Sequence, residues 1–313
     1  MKAFKNIRKI IWAVDPFQKQ TKQLKVMATL VDDYARSTKA GVELVYAYTQ
    51  PQIPMRPKAL SELEKPFLIE AENRLEKLAS LVKSAPHSVR IITHHAYKTY
   101  VPAATLVSDH ARKTSTSVIA VSSHGRGGLK RLFLGSFAED LLLSGKLPIL
   151  FASPHVKHYP GRRLKGLFLP VDFTPQSRKL LLWSIAYAKT EGAKLTLFHG
   201  VVDPFQPLLQ PAALALGGTY PFDARGYAEV LAGQRAELDK WVKLARRSGV
   251  SCEGLAYEKG GTLYEAICNV AAKKKQDLIV MSTHHGALSS LLVGSLTRQV
   301  VRHSTVPVLA MKM

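Results

Sequence analysis

Short, continuous apolar runs alternate along this chain with longer stretches whose apolar positions return every three or four residues. The runs near Ile7–Val14, Val42–Tyr48, Val89–Thr93, Ser117–Ser122 and Pro148–Ala152 read as strands. So do those near Leu167–Val171, Lys194–His199, Ser251–Tyr257, Asp277–Ser282 and Pro307–Met311. Most are rich in Val, Ile and Leu throughout rather than alternating, as expected of parallel strands covered on both faces. Between them, Leu24, Ala28, Val31 and Ala35 line one helical face, with Lys22, Lys25 and Asp32 on the other; Leu181, Ile185 and Ala188 repeat the pattern. Further helices are predicted over Pro66–Ser84, Ala103–Lys113, Phe137–Ser144, Arg225–Ser248, Leu263–Lys274 and Leu296–His303. Strand–helix alternation with right-handed crossovers builds a doubly wound α/β layer sandwich.

The pattern is written twice. Ile10-Ile11-Trp12-Ala13-Val14-Asp15 returns as Leu167-Phe168-Leu169-Pro170-Val171-Asp172, and Ser122-Ser123-His124 as Ser282-Thr283-His284. Gly135-Ser136 returns as Gly294-Ser295, and Pro148-Ile149-Leu150 as Pro307-Val308-Leu309. The shift stays between 157 and 160 residues at every landmark, far longer than a solenoid repeat of about 20–50 residues. The unit is a whole domain, and residues 1–156 and 157–313 form two of them. Ser153–Lys165, with Pro154, Pro160, Gly161 and the Arg162-Arg163 pair and no apolar rhythm, reads as the linker. Loops are expected at Thr49–Ser61 and Asp203–Ala224; the second is long enough to suggest a lid.

The 313 residues are 46% hydrophobic, which suits two soluble cores, and no run reaches the 18 apolar residues of a membrane span. Asp15 and Pro16 interrupt the first apolar run too early for a secretory signal, so a cytoplasmic protein without membrane contact is expected. Cys252 and Cys268 read as ordinary thiols. The net charge of +21 divides evenly between the halves, +11 and +10, so it is no basic tail. It leaves anionic partners open, nucleic acid among them. Aromatics are not interleaved with basic residues as on a single-strand platform, which disfavours that partner.

In open α/β sheets, ligands bind beyond the carboxyl ends of the strands where strand order reverses. Asp15 and Asp172 end the first strand of each half, and Ser122 and Ser282 the fourth. Gly135-Ser136 and Gly294-Ser295 open the next helix, with the serines as expected N-caps. Helix N-termini favour phosphate. Gly125, Gly127 and Gly128 permit close backbone approach, with Arg126, Lys130 and Arg131 beside them. Generic dinucleotide and P-loop motifs are absent. His124 and His284 have no carboxylate or nucleophile beside them in sequence, and adjacent strand histidines point to opposite faces, so neither catalytic nor chelating histidines are read.

On these residues the chain resembles the universal stress protein family, in a tandem two-domain form. The resemblance rests on Val14-Asp15, the run from Ser123 through Arg131 to Gly135-Ser136, and Leu147-Pro148-Ile149-Leu150. It rests equally on Pro170-Val171-Asp172, Ser282-Thr283-His284, Leu291-Leu292-Val293-Gly294-Ser295 and Val306-Pro307-Val308. It implies two Rossmann-like (adenine nucleotide alpha hydrolase-like) three-layer sandwiches, each with a five-stranded parallel sheet, that pair through their last strands. The two halves of one chain would then form an internal pseudo-dimer, with a homodimer of chains also open. It further implies ATP, with Mg²⁺, in members that keep G-x-x-G-x(9)-G-[ST]. Carried over by position, the nucleotide contacts of the first half are Ala13, Val14, Asp15, Ala47, Val121, Ser122, Gly125, Gly135, Ser136 and Phe137. Those of the second are Pro170, Val171, Asp172, Gly200, Met281, Ser282, Gly294, Ser295 and Leu296, and Asp15 and Asp172 are the metal candidates. Ser122 replaces the first motif glycine. The second half has Ser282 there, His285 in place of Gly125, and one residue fewer before Gly294-Ser295, which favours the first half as the ATP site. The expected role is stress-linked nucleotide sensing with at most slow hydrolysis. The alternatives are a stress protein with decayed sites that works through protein or nucleic-acid partners, and an adenylating enzyme of the same superfamily.

Overall fold

A computed structural model describes residues 7–19, 21–49, 57–94, 101–116, 118–122, 135–144, 147–157, 159, 161, 163–201, 224–258, 261–283 and 295–312. In the first half the elements are β1 (Lys9–Ala13), α1 (Thr21–Thr38), β2 (Gly41–Thr49), α2 (Pro57–Ala79), β3 (His87–His94), α3 (Ala103–Lys113), β4 (Val118–Ser122), α4 (Ser136–Ser144) and β5 (Ile149–Ala152). The second half repeats them as β6 (Gly166–Pro170), α5 (Pro175–Glu191), β7 (Lys194–Gly200), α6 (Ala224–Arg247), β8 (Cys252–Tyr257), α7 (Leu263–Lys273), β9 (Leu278–Ser282), α8 (Ser295–His303) and β10 (Val308–Met311).

The strands form one sheet in the order β3-β2-β1-β4-β5-β10-β9-β6-β7-β8. Within each half every pairing is parallel, and β5 meets β10 antiparallel. Strand order reverses beside β1 and beside β6, because β1 lies between β2 and β4 and β6 between β7 and β9, so the later strands of each half are added on opposite sides of its first. The apolar runs are buried because helices cover both faces. On one face Trp12, Leu44, Leu150, Leu169 and Leu309 pack under α1, α2, α5 and α6. On the other, Ile11, Phe151, Phe168, Ile279 and Val308 pack under α3, α4, α7 and α8. Among the described residues no helix is long and apolar enough to cross a membrane.

Three local expectations are corrected. Helix α2 begins at Pro57, so residues 57–61 are helical rather than loop, and Pro66 lies inside the helix rather than opening it. Proline is commoner at a helix start. Here the turn before it is tied to the sheet by Tyr48, whose hydroxyl donates to Glu64 Oε1 at 2.7 Å. Ser136 and Ser295 are the first residues of α4 and α8, not their caps. In α4 the Gly135 carbonyl accepts the first helical bond, from Glu139 N at 2.9 Å. The linker does carry apolar anchors: Val156, Tyr159 and Leu164 are buried. Tyr159 donates to Asp33 Oδ2 at 3.1 Å, and Asp277 Oδ2 accepts from the amides of Lys165 and Gly166 at 2.7 and 3.0 Å.

A second polar feature lies at the amino ends of the strands. Glu43, buried in β2, is met by Lys9 Nζ at 2.7 Å, Arg90 Nε at 2.9 Å and His110 Nε2 at 2.8 Å. Burial alone would raise its pKa, but the hydrogen bonds from Lys9, His110 and Arg90 outweigh that and lower it to about 2.

Candidate functional site

Both sites lie where strand order reverses, at the carboxyl ends of β1 and β4 in the first half and of β6 and β9 in the second. Each begins with the chain leaving the sheet after its first strand. Val14 N donates to the Val45 carbonyl at 3.0 Å, and Val171 N to the Phe198 carbonyl at 2.8 Å. One further ladder bond therefore holds each half's aspartate at the sheet's edge.

In the first half Ala13, Val14 and Val121 are buried, while Asp15, Ala47 and Ser122 are half-buried at that edge. Asp15 Oδ1 accepts from Phe17 N at 3.0 Å. The Phe17 ring stacks on Phe67, with centroids 4.7 Å apart, and lies edge-on to Tyr46 at 6.3 Å. The Arg74 guanidinium sits 4.9 Å from its centroid. This aromatic wall beside Asp15 was not foreseen from the sequence; the signal for it was Phe17 itself, two residues past the aspartate. Gly135 and Phe137 are half-buried at the head of α4, and Ser136 is exposed. Gly125 and the basic and glycine-rich run around it lie outside the described residues, as do His124, His95, His284, His285 and Gly294.

The second half has a defined cavity of about 150 Å³. It is lined by Pro170, Val171, Asp172, Thr174, Ser177, Leu180, Phe198, His199, Gly200, Leu263, Ile267, Met281, Ser282 and Leu296. Seven of these residues are among those carried over from the resemblance: Pro170, Val171, Asp172, Gly200, Met281, Ser282 and Leu296. Ser295 does not line it and is exposed at the head of α8. An apolar cavity of about this size accommodates one flat aromatic ring. Phe198, Leu263, Ile267, Met281 and Leu296 make the walls apolar, with Asp172 among the few polar groups.

Asp172 is held by a capping chain. Its Oδ1 accepts from Thr174 N at 3.2 Å and from the Thr174 hydroxyl at 2.7 Å, and Thr174 Oγ1 in turn accepts from Ser177 N at 3.2 Å at the start of α5. The following residue, Phe173, sits at φ 61°, a left-handed conformation costly for a bulky side chain. Its ring is held by His199 at 4.3 Å and Trp241 at 5.3 Å between centroids. His199 was also missed from sequence. Its Nδ1 lies 2.9 Å from the Val171 carbonyl, which makes that nitrogen the donor, and its Nε2 lies 2.9 Å from Gln234 Oε1. The ring therefore fixes the backbone just before Asp172.

The halves differ in one wall. Gly200 ends β7 against Leu263, and a Cβ placed on Gly200 would come within 2.3 Å of Leu263 Cδ1. The corresponding residues of the first half are Ala47 and Ala103. The second half therefore keeps its leucine at the pocket by giving up a side chain on the facing strand.

Among the described residues no group of three or more His, Cys, Asp or Glu could hold a metal ion. A Mg²⁺ ion here would rest on one aspartate and on ligand phosphates, a normal arrangement for that ion. Cys252 and Cys268 are buried free thiols; burial pushes them up to about 11 and about 12.

The universal stress protein family matches residues 6–152 and again residues 165–312. Among solved structures, a universal stress protein from Archaeoglobus fulgidus DSM 4304 is similar over 99% of this chain and 98% of its own, at 16% identity and a TM-score of 0.65. A functionally unknown protein from Pseudomonas aeruginosa PAO1 is similar over 100% and 95%, at 17% identity and a TM-score of 0.56. A universal stress protein from Archaeoglobus fulgidus in complex with dAMP covers 48% of this chain and 99% of its own, at 17% identity and a TM-score of 0.35. At these identities the first two likenesses speak for the fold alone. A comparison with curated proteins gives no match. Two family matches in succession, laid on two copies of one strand order, account for the duplication in the sequence: the chain belongs to the universal stress protein family and carries two of its domains in tandem.

Proposed function

We propose that the chain is a cytoplasmic nucleotide sensor whose domains, residues 1–156 and 157–313, form an internal pseudo-dimer and bind ATP with Mg²⁺ at the carboxyl ends of their sheets. The observation that carries this reading is the cavity of the second half, largely apolar and roomy enough for a planar ring, seven of whose fourteen lining residues are those assigned by the resemblance. Asp15 and Asp172 stand where ribose hydroxyls or a phosphate-bound Mg²⁺ would be met. Gly135 and Gly294 precede the helices whose N-termini would receive the phosphates. ATP would shift the ensemble by its differential affinity for the conformation that binds it. In this reading turnover is at most slow.

Calorimetric titration of the full chain with Mg²⁺–ATP tests the reading. Binding is expected, weakened at least tenfold by Gly135→Ala if the first half holds the nucleotide, and by Gly294→Ala or Asp172→Ala if the second does. Binding unchanged by all three substitutions, or absent from the unaltered chain, refutes the reading.

A further inference from the structure

The pairing of β5 with β10 places residues opposite their own sequence counterparts. Leu150 and Leu309 hold the same position in the two copies, and they are direct partners, so the local two-fold axis passes between them. On either side of it Phe151 faces Val308 and Ile149 faces Ala310. By the duplication, Ile149 corresponds to Val308 and Phe151 to Ala310. Each cross-strand pair therefore joins a larger side chain from the first half to a smaller one from the second. All four are buried on the sheet face covered by α4 and α8.

A second observation on that face is independent of volume. Glu139 stands four residues after Gly135, and Arg298 four residues after Gly294, so these too are counterparts. They meet, with Arg298 Nη1 2.9 Å from Glu139 Oε1, each side chain about a third exposed. In a pairing of like halves, a residue on the axis faces a copy of itself. Two first halves would oppose Glu139 to Glu139 and crowd Phe151 against Ile149 twice. Two second halves would oppose Arg298 to Arg298 and set Val308 against Ala310 twice, leaving voids.

We infer that the junction selects unlike halves: Glu139 and Arg298 choose the partner by charge, and Ile149 and Phe151 against Val308 and Ala310 choose it by volume. The surface fits the second half of this chain and rejects a second copy of the first. Selection against the wrong partner by like-charge contact is a recognised route to specificity. The inference rests on the reading of the two halves as an internal pseudo-dimer.

The test is a charge-reversal cycle in the full chain, read by urea unfolding at low and at high salt. Glu139→Arg and Arg298→Glu are each expected to lower the folding equilibrium constant about three- to tenfold at low salt. The double reversal should recover it to within about twofold. High salt should shrink the single-variant losses, because the pair is partly exposed. Phe151→Val combined with Val308→Phe, the two members of one cross-strand pair, forms the volume arm: the double exchange should recover most of the stability that each single change loses, and no recovery counts against selection by volume; if either variant of that arm fails to fold, the charge arm still decides. A double reversal no more stable than the summed single losses overturns the inference. A Glu139→Cys/Arg298→Cys chain treated with a short bismaleimide separates the two failures. If the intrachain cross-link forms but the cycle shows no coupling, the pseudo-dimer stands without selectivity. If no cross-link forms, the pseudo-dimer reading falls as well.

Discussion

Glu43 offers the sharpest test of the charges in this fold. Its carboxylate is buried in β2 against Lys9, Arg90 and His110, and the Lys9 and Arg90 side chains are partly open to solvent. Glu43→Gln removes the charge and keeps the shape. The fall from an ordinary 4.5 to about 2, at about 1.4 kcal/mol per tenfold, corresponds to about 3 kcal/mol at neutral pH. Since Lys9 and Arg90 can turn to water once the carboxylate is gone, a loss of about 2–3 kcal/mol is expected. The sign follows from the lowered pKa. The contribution is complete above about 4.5, fades as pH falls toward about 2, and is gone below it, because only the unfolded chain binds the proton readily over that interval. Urea unfolding of both chains at pH 7, 5 and 3 measures this. The difference between them should be full at pH 7 and clearly reduced at pH 3. A difference under about 1 kcal/mol at pH 7, or one that does not change with pH, would show that the three contacts do not hold the carboxylate ionised.

Two further expectations concern the second half. Gly200→Ala should destabilise by about 1–3 kcal/mol through crowding of Leu263, and adding Leu263→Ala should relieve it by restoring the Ala–Ala pair of the first half; chemical denaturation of the three chains checks this, and no relief in the double variant counts against it. The thiols of Cys252 and Cys268, buried and pushed up to about 11 and about 12, should react with a disulfide reagent at pH 8 at least tenfold more slowly in the folded chain than in urea, followed by absorbance.

The strands were legible because most are continuous apolar runs and the duplication repeats each of them; β3, with His87, Arg90 and His94 along it, is the exception. Of the pocket's strand-end residues, Gly200 and Met281 came only with the family resemblance, whereas Asp172 and Ser282 were legible by position, since the switch point of such a sheet lies at known strand ends. The helix side of the same pocket was not. Leu263 and Ile267 read as ordinary core positions of an amphipathic helix, and only their closeness to Gly200 and Met281 in space gives them a place in the cavity. His199 was hidden for a related reason. Its partners Val171 and Gln234 lie 28 and 35 residues away, and no local pattern announces a bond at such separation. Pro66 misled because local propensity argues for a helix start, whereas the contact between Tyr48 and Glu64 holds a turn before it. The linker's tyrosine and leucine showed no period because they serve as single anchors rather than as a face.

The tether between β5 and β6 carries a consequence for abundance. Two separate subunits joined at such a seam would part as their concentration fell below the dissociation constant. A short covalent connection instead holds the second half near the first at an effective concentration of about millimolar. The assembled sheet should therefore persist at a handful of molecules per cell, where a dimer of free halves would be mostly dispersed.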